Sequence, residues 1–120
     1  MNIERLIINS RDELFRIDTS KIVYFEADGN YTSIVMTNNQ RFSLCTNLSN
    51  MEKLLAEKLS DQHSFVRIGK SYIINLSYVT QVNALRKRLT LSDFTTCSYT
   101  LEISKEALKK LKDIIVKIRI

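Results

Sequence analysis

The sequence predicts a mainly β fold with two helical segments. Short runs of β-branched and aromatic residues alternate with turns made of Asn, Asp and Ser. Apolar residues recur at a spacing of three to four positions at only two places, after Thr46 and after Ser104. The chain has no proline and two glycines, Gly29 and Gly69, so polar residues must form most turns. Short strands separated by turns are typical of antiparallel sandwiches and barrels.

The first third of the chain predicts a β-meander. Its strands are expected at residues 3–9, 13–17, 22–27, 31–37 and 40–45. Asp18-Thr19-Ser20 is a cap or turn, and Asp28-Gly29-Asn30 separates two strands. Asn38-Asn39 suits a tight turn with positive φ, which would let the next strand pair back.

A short amphipathic helix is predicted over residues 49–59. Its apolar positions fall on one face, and Ser49 with Glu52 fits a capping box. The polar face has charges of both signs and is not typical of a nucleic-acid surface. We expect this helix to cover the edge or end of a sheet.

The stretch from Phe65 to Val79 reads as buried strand, interrupted by Gly69-Lys70-Ser71. Such an interruption indicates either backbone that turns to the surface and presents charge, or a β-bulge with a solvated lysine. Strand, turn and strand then alternate as far as Ile103, with turns at 85–87 and 92–93, so that residues 94–103 form the last strand. A second amphipathic helix follows Ser104, with Leu108, Leu111, Ile118 and either Ile114 or Ile115 on one face.

Length and charge predict one domain, residues 1–120, with one hydrophobic core and an anionic partner. The chain of 120 residues has a formal net charge of +5. Residues 1–60 hold seven Lys/Arg and eight Asp/Glu, whereas residues 61–120 hold eleven and five. A basic half indicates nucleic acid or a membrane surface.

No residue set in the sequence supports catalysis or a metal site, so we expect a binding protein without cofactors. His63 is the single histidine and has no nucleophile in a recognisable motif, and Asp28-Gly29-Asn30 lacks the further acidic residues of a calcium loop. Cys45 and Cys97 are expected to be reduced core residues of a cytoplasmic protein. No apolar run approaches the length of a bilayer span.

Several segments resemble LytTR domains, the DNA-binding domains of bacterial transcription regulators of the LytR/AlgR type. The central signature is FVRIGKSYIINLSYV, with Phe65, Arg67, Ser71, Tyr72, Asn75 and Tyr78 in place. The similarity extends upstream to residues 22–36 and 46–55 and downstream to residues 89–91 and 102–111. It spans about Ile7 to Leu111 with all segments in family order.

The resemblance implies an elongated arrangement of small antiparallel sheets, about ten short strands, whose loops enter the major groove of double-stranded DNA at promoter repeats. It implies transcriptional regulation and allows a second copy of the protein on the same DNA. A receiver domain commonly precedes such domains. This sequence begins at Met1 with the DNA-binding segment and is either a stand-alone regulator or part of a longer protein. A stand-alone regulator would be controlled by its expression level or by a partner protein.

Three segments carry the implied DNA contacts. The candidate residues are Asn30, Tyr31, Arg67, Lys70, Ser71, Ser104 and Lys105. Asparagine suits adenine, lysine suits a base edge or phosphate, and tyrosine reaches phosphate.

Each candidate also has a structural alternative. Asn30 can simply form the turn, and Tyr31 can pack on the sheet. Ser104 can cap the last helix. Arg67 can form a salt bridge to Glu26 or Asp28 instead of contacting phosphate. The other signature residues are expected to be structural, with Tyr72, Ile73, Ile74 and Leu76 in the core and Asn75 bonded to a backbone bend.

Two further surfaces have open interpretations. Arg86-Lys87-Arg88 at a hairpin tip is either solvated or in contact with flanking phosphate. The basic amphipathic C-terminal helix offers the main alternative function, a protein-interaction or membrane-surface module. A helix that covers the sheet explains the same pattern.

Overall fold

The computed structural model describes residues 4–60 and 64–118, with side chains to residue 117. His63 therefore lies outside the described residues. Ten strands and two α-helices are present in the described ranges. They are β1 (Arg5–Asn9), β2 (Leu14–Asp18), β3 (Ile22–Asp28), β4 (Tyr31–Met36), β5 (Arg41–Leu44), α1 (Leu48–Lys58), β6 (Phe65–Ile68), β7 (Tyr72–Asn75), β8 (Val79–Asn83), β9 (Arg88–Ser92), β10 (Ser98–Glu102) and α2 (Lys105–Ile118). The prediction of a mainly β fold with one internal and one C-terminal helix is confirmed.

The strands form three antiparallel sheets, and the largest one lies at the centre. Its order is β5-β4-β3-β7-β6, while β1-β2 and β10-β9-β8 form sheets of two and three strands. The principal extents of the molecule are 44 × 36 × 27 Å. The predicted hairpin at the start of the chain and the tight turn at Asn38-Asn39, with φ of 61° and 60°, are both confirmed.

The central sheet is buried on both faces, so the prediction of one hydrophobic core is wrong. Phe25 and Ile73 belong to a cluster with α1 and the β1-β2 hairpin. Their strand neighbours Tyr24 and Ile74 belong to a second cluster with the three-stranded sheet and α2. Because adjacent side chains on a strand point to opposite faces, burial on both faces requires continuous apolar runs such as Ile22–Phe25.

Helix α1 begins one residue earlier than predicted, has a different cap, and covers a face of the central sheet rather than an edge or end. Asn47 is the N-cap, and its side chain accepts a hydrogen bond from the Asn50 N–H at 2.8 Å. The predicted capping box of Ser49 and Glu52 is wrong, because both side chains instead contact Arg67. An Asn cap provides the same oxygen acceptor for the first turn.

The central signature forms β6, a turn and β7, so the backbone does turn to the surface at Gly69-Lys70-Ser71, where Gly69 has φ +59°. Asn75 is only 3% exposed. It donates to Ile22 O at 2.9 Å and accepts from Ser77 N at 3.0 Å, which confirms its predicted structural role. Ile73, Ile74 and Leu76 are buried as predicted, whereas Tyr72 is only half-buried.

The last strand is shorter than predicted, since residues 93–97 form an ordered loop before β10. One Asp93 oxygen accepts hydrogen bonds from the N–H groups of Thr95, Thr96 and Cys97 at 3.0, 2.7 and 3.0 Å. Phe94 has φ +66° and is 81% exposed, so it neither extends a strand nor packs in the core. Side-chain hydrogen bonds from Asp to the following backbone favour such a loop over strand pairing.

The two cysteines are free thiols in different environments. Cys97 is buried, as predicted for a core residue. Cys45 is exposed, which contradicts its predicted place in the core, because β5 ends at Leu44 and Cys45 lies in the bend before α1.

Helix α2 packs on the three-stranded sheet with Leu108 and Leu111 fully buried. Ile115 packs against this cluster while Ile114 is exposed, which decides between the two predicted positions. Within the described ranges, neither helix combines the length and the hydropathy required to span a bilayer.

Candidate nucleic-acid interface

Two of the three predicted contact segments lie side by side at one end of the central sheet. The β3–β4 turn is closed by the pair Asp28–Tyr31, and the β6–β7 turn by the pair Ile68–Tyr72. Strands β3 and β7 are antiparallel neighbours, so the end of one lies beside the start of the other. The Ala27 N–H, near the end of β3, donates to Ser71 O in the second turn at 2.8 Å, so the two turns lie next to each other.

The first turn presents Asn30 and Tyr31. Gly29 has φ +62°, a left-handed conformation that glycine adopts without strain. Asn30 is exposed, and Tyr31 is 50% exposed at the first position of β4. Tyr31 therefore does not pack in the core, and both polar side chains are accessible to a ligand.

The second turn presents Lys70 and Ser71, and Arg67 holds its backbone. The Arg67 guanidinium donates from Nε to Gly69 O and from Nη2 to Lys70 O, both at 3.2 Å. Lys70 and Ser71 are exposed, and Lys70 takes part in neither of the two ion pairs found among the described residues. The turn thus offers an unpaired cation on a backbone that the protein itself stabilises.

Arg67 also contacts α1, and its predicted acidic partners were wrong. Its Nη1 lies 3.3 Å from Glu52 Oε1 and 3.4 Å from Ser49 Oγ. Glu26, one of the predicted partners, pairs with Arg41 at 3.3 Å. No sequence signal links Arg67 to Glu52, because they become neighbours only when α1 packs on a face of the central sheet.

The third segment, Ser104-Lys105, starts α2. Ser104 Oγ accepts from the Ala107 N–H at 3.3 Å and its backbone oxygen accepts from the Leu108 N–H at 3.0 Å, so the predicted capping role is present. Lys105 is exposed in the first turn. A cation is disfavoured there by the helix dipole and gains from a nearby anion.

This segment lies against the basic hairpin tip. The Ile103 N–H donates to Lys87 O at 3.0 Å, and Glu102 is paired in register with Arg88. Arg86, Lys87 and Arg88 are all exposed. The structure therefore combines the start of α2 with a cationic tip that sequence reasoning had treated as a separate flank.

Helix α2 also runs beside the second turn. A groove of about 150 Å³ separates α2 from β6 and is lined by Ile68 and Gly69 on one side and by Ala107 and Lys110 on the other. The second turn thus lies next to the first and adjoins α2 across this groove.

A polar cluster lies on the same sheet behind the turns. Arg41 Nη2 contacts Tyr24 OH at 3.4 Å, and Tyr72 OH lies 3.4 Å from Glu26 Oε2. Burial raises the pKa of Tyr24 to about 12, and burial followed by the negative charge of Glu26 raises the pKa of Tyr72. Both phenols are therefore neutral, and Glu26 forms an ion pair with Arg41.

The exposed side chains of the turns are of types that bind nucleic acid. Among residues 4–60 and 64–118, no group of three or more His, Cys, Asp or Glu side chains is placed to hold a metal ion. The exposed Asn, Tyr, Lys and Ser side chains on anchored turns are donors and acceptors of the kind that contact phosphate oxygens and base edges.

Comparisons with known proteins identify similar sequences and a similar fold. A family model for the LytTr DNA-binding domain matches residues 12–116. Two curated relatives from Paraburkholderia xenovorans (strain LB400) are the heme-containing CO-sensing transcriptional regulators RcoM 2 and RcoM 1. They are 25% and 24% identical over 111 residues, which is 92% of this chain. The chain spans 39% of the length of each relative.

The fold matches a solved structure as well. A LytTr DNA-binding domain from Bacillus cereus superposes with a TM-score of 0.63 at 16% identity, covering 95% of this chain and 98% of that one. The matched region includes both turns and the start of α2. The chain belongs to the LytTr DNA-binding domain family.

Proposed function

We propose that this DNA-binding domain recognises a specific sequence of double-stranded DNA through its loops. The β3–β4 turn, the β6–β7 turn and the start of α2 would enter the major groove. The observation that carries this proposal is the hydrogen bond from Ala27 N to Ser71 O, which places the first two turns side by side. Two adjacent turns on a rigid sheet can present a fixed set of side chains to one groove.

The side chains divide into those that can read bases and those that can hold the backbone. Asn30 suits bidentate contact with adenine, and Lys70 suits the acceptors of guanine. Tyr31, Ser71, Ser104 and Lys105 are suited to phosphate oxygens. The cations of the tip, Arg86 and Lys87, would contact flanking phosphates and add affinity without sequence preference.

The proposed biological role is transcriptional regulation at promoter repeats, with a second copy of the protein on the same DNA. The support is that both curated relatives are transcriptional regulators. A repeated site spaced by whole helical turns would place two copies on one side of the duplex.

The alternative, a membrane-surface or protein-interaction module that uses α2, is less compatible with the packing. Such a helix needs an unpartnered apolar face. Leu108 and Leu111 are instead buried against the three-stranded sheet, and of the apolar residues of α2 Ile114 and Val116 are exposed. The exposed residues of α2 include several lysines, which serve DNA binding equally well.

The test is selection of binding sites from random duplex DNA, followed by titration of the selected site. A scrambled duplex and anionic lipid vesicles are the comparison ligands. We expect the selected duplex to bind roughly a thousandfold tighter than the scrambled one, at the low end of the range for specific complexes. Equal binding to all duplexes would overturn sequence-specific recognition, and stronger binding to vesicles would support the alternative.

A further inference from the structure

We infer that Arg67 is a positioning residue for DNA recognition rather than a phosphate contact, and that α1 is part of the reading apparatus through it. This inference rests on the proposed function, because it concerns how the β6–β7 turn reads DNA. The observation that supports it is that contacts within the protein occupy the Arg67 guanidinium.

Every nitrogen of the Arg67 guanidinium has a protein partner. Nε and Nη2 donate to the carbonyls of Gly69 and Lys70, and Nη1 donates to α1 at Glu52 and Ser49. The side chain is only 25% exposed. A planar guanidinium with several donors in fixed directions can bridge two elements in this way, whereas a lysine ammonium cannot reproduce the fork.

The bridged carbonyls belong to the two residues on which the turn geometry depends. Gly69 adopts φ +59°, and Lys70 follows it with an exposed side chain. If both carbonyls lost the hydrogen bonds from Arg67, the turn could rotate. The Lys70 side chain would then no longer point in one fixed direction. Base readout requires side chains held to within a fraction of an ångström, whereas phosphate contact tolerates more freedom.

Glu52 supplies the other end of the bridge. It lies on α1 and pairs with Arg67 at 3.3 Å, which orients the guanidinium toward the turn. The inference therefore assigns a role in specificity to an acidic residue, which simple electrostatics would count as unfavourable for DNA binding. Simple electrostatics predicts that loss of the Glu52 charge only tightens binding to every duplex. The positioning role predicts that the same loss lowers the preference for the selected site.

The test compares Glu52→Ala, which removes the acceptor for Arg67, with Glu57→Ala, which removes the same charge from an exposed position of the same helix that is not paired with Arg67. Affinity is measured for the selected duplex, its single-base variants and a scrambled duplex. Both variants should bind the scrambled duplex slightly more tightly, because each removes one negative charge. Glu52→Ala alone should lose about tenfold in preference at the base pair that faces Lys70, which is the usual range for one base contact.

Arg67→Lys provides the second arm, because it keeps the charge and loses the fork. A positioning role predicts an unchanged salt slope and reduced base preference, whereas a phosphate contact predicts nearly wild-type binding. Arg67→Gln should then keep the salt slope as well, since no phosphate contact is lost. Thermal unfolding of each variant confirms that the fold is intact, because a purely structural loss would lower Tm without changing which bases are preferred.

The outcomes distinguish the two proposals. If the wild-type protein does not discriminate between duplexes, the proposed function fails. If the wild type discriminates and Glu52→Ala behaves like Glu57→Ala, or if Arg67→Gln lowers the salt slope by about one, the positioning role of Arg67 is overturned.

Discussion

At the residue scale, Lys70 is distinguished by a backbone that its neighbours hold through hydrogen bonds. Arg67 and the strand pairing satisfy the backbone around it, so its ammonium group takes no part in holding the turn. The tip residues Arg86 and Lys87 are equally exposed but belong to a four-residue turn between β8 and β9. We therefore expect Lys70 to contact base edges and the tip residues to contact phosphates.

Lys70→Ala is expected to cost about 1–3 kcal/mol in binding free energy and to relax preference at one position of the site. Arg86→Ala should weaken binding to all sequences equally and lower the salt slope by about one. Affinities for the selected site and its single-base variants measure both effects. A uniform loss for Lys70→Ala would make it a phosphate clamp, and no loss with an intact fold would show that the β6–β7 turn does not face DNA.

The two thiols should differ in reactivity. Burial raises the pKa of Cys97, which lowers its thiolate fraction, whereas Cys45 is exposed. A disulfide exchange reagent should modify one thiol rapidly in the native protein and two after denaturation. Cys45→Ser should abolish the fast phase, and a fast phase that survives in this variant would contradict the burial of Cys97.

At the element scale, the loop between β9 and β10 depends on one carboxylate. The Thr96 hydroxyl and the backbone N–H groups of Thr95, Thr96 and Cys97 hold the pKa of Asp93 well below its ordinary value of 3.8. A depressed carboxyl pKa contributes stability that is present above the unfolded-state pKa and is lost as pH falls below it. The loop thereby keeps Phe94 in a left-handed conformation that an aromatic residue rarely adopts.

Asp93→Ala should lower the free energy of unfolding at pH 7, and the difference from wild type should shrink as pH falls below about 3.8. Chemical denaturation at a series of pH values measures it. Asp113→Ala, which removes an exposed carboxylate from α2, is the control for the loss of one negative charge. A difference for Asp93→Ala that stays constant down to pH 2 would contradict the role of its ionised form.

At the scale of the whole molecule, the charge distribution of the chain favours an anionic polymer. The formal net charge is +5, and the cations of the hairpin tip adjoin the start of α2. The acidic residues Glu26 and Glu52 are each paired with an arginine. Exposed cations therefore outnumber unpaired acidic groups around the candidate interface, which increases both affinity and association rate.

Affinity for duplex DNA should consequently fall steeply with salt. Each lysine or arginine that neutralises a phosphate releases counterions, so several contacts cost orders of magnitude in affinity over a fourfold rise in salt. Titrations of the selected and scrambled duplexes between about 50 and 200 mM salt measure the slopes. A flat response would argue against DNA as the partner.

Local features of the chain could be predicted because they depend on neighbouring residues. Asn38-Asn39, Gly69 and the β-branched runs determined the turns and strands, and the spacing of Leu108 and Leu111 determined the second helix. The family signature placed the candidate contacts on three segments. The misplaced strand start at Phe94 shows the limit of this reasoning, since an aromatic residue usually favours a strand and Asp93 overrides it.

The sequence by itself thus determined where the chain is extended, helical or turned, and which segments resemble DNA contacts. Only the tertiary structure decided that the central sheet is covered on both faces, that two turns share one sheet end, and that Arg67 bridges α1 and the β6–β7 turn. The physical reason is the separation along the sequence of the residues that interact. Backbone conformation follows from residues a few positions apart, whereas Arg67 and Glu52 lie 15 positions apart and meet only when α1 packs on a face of the central sheet.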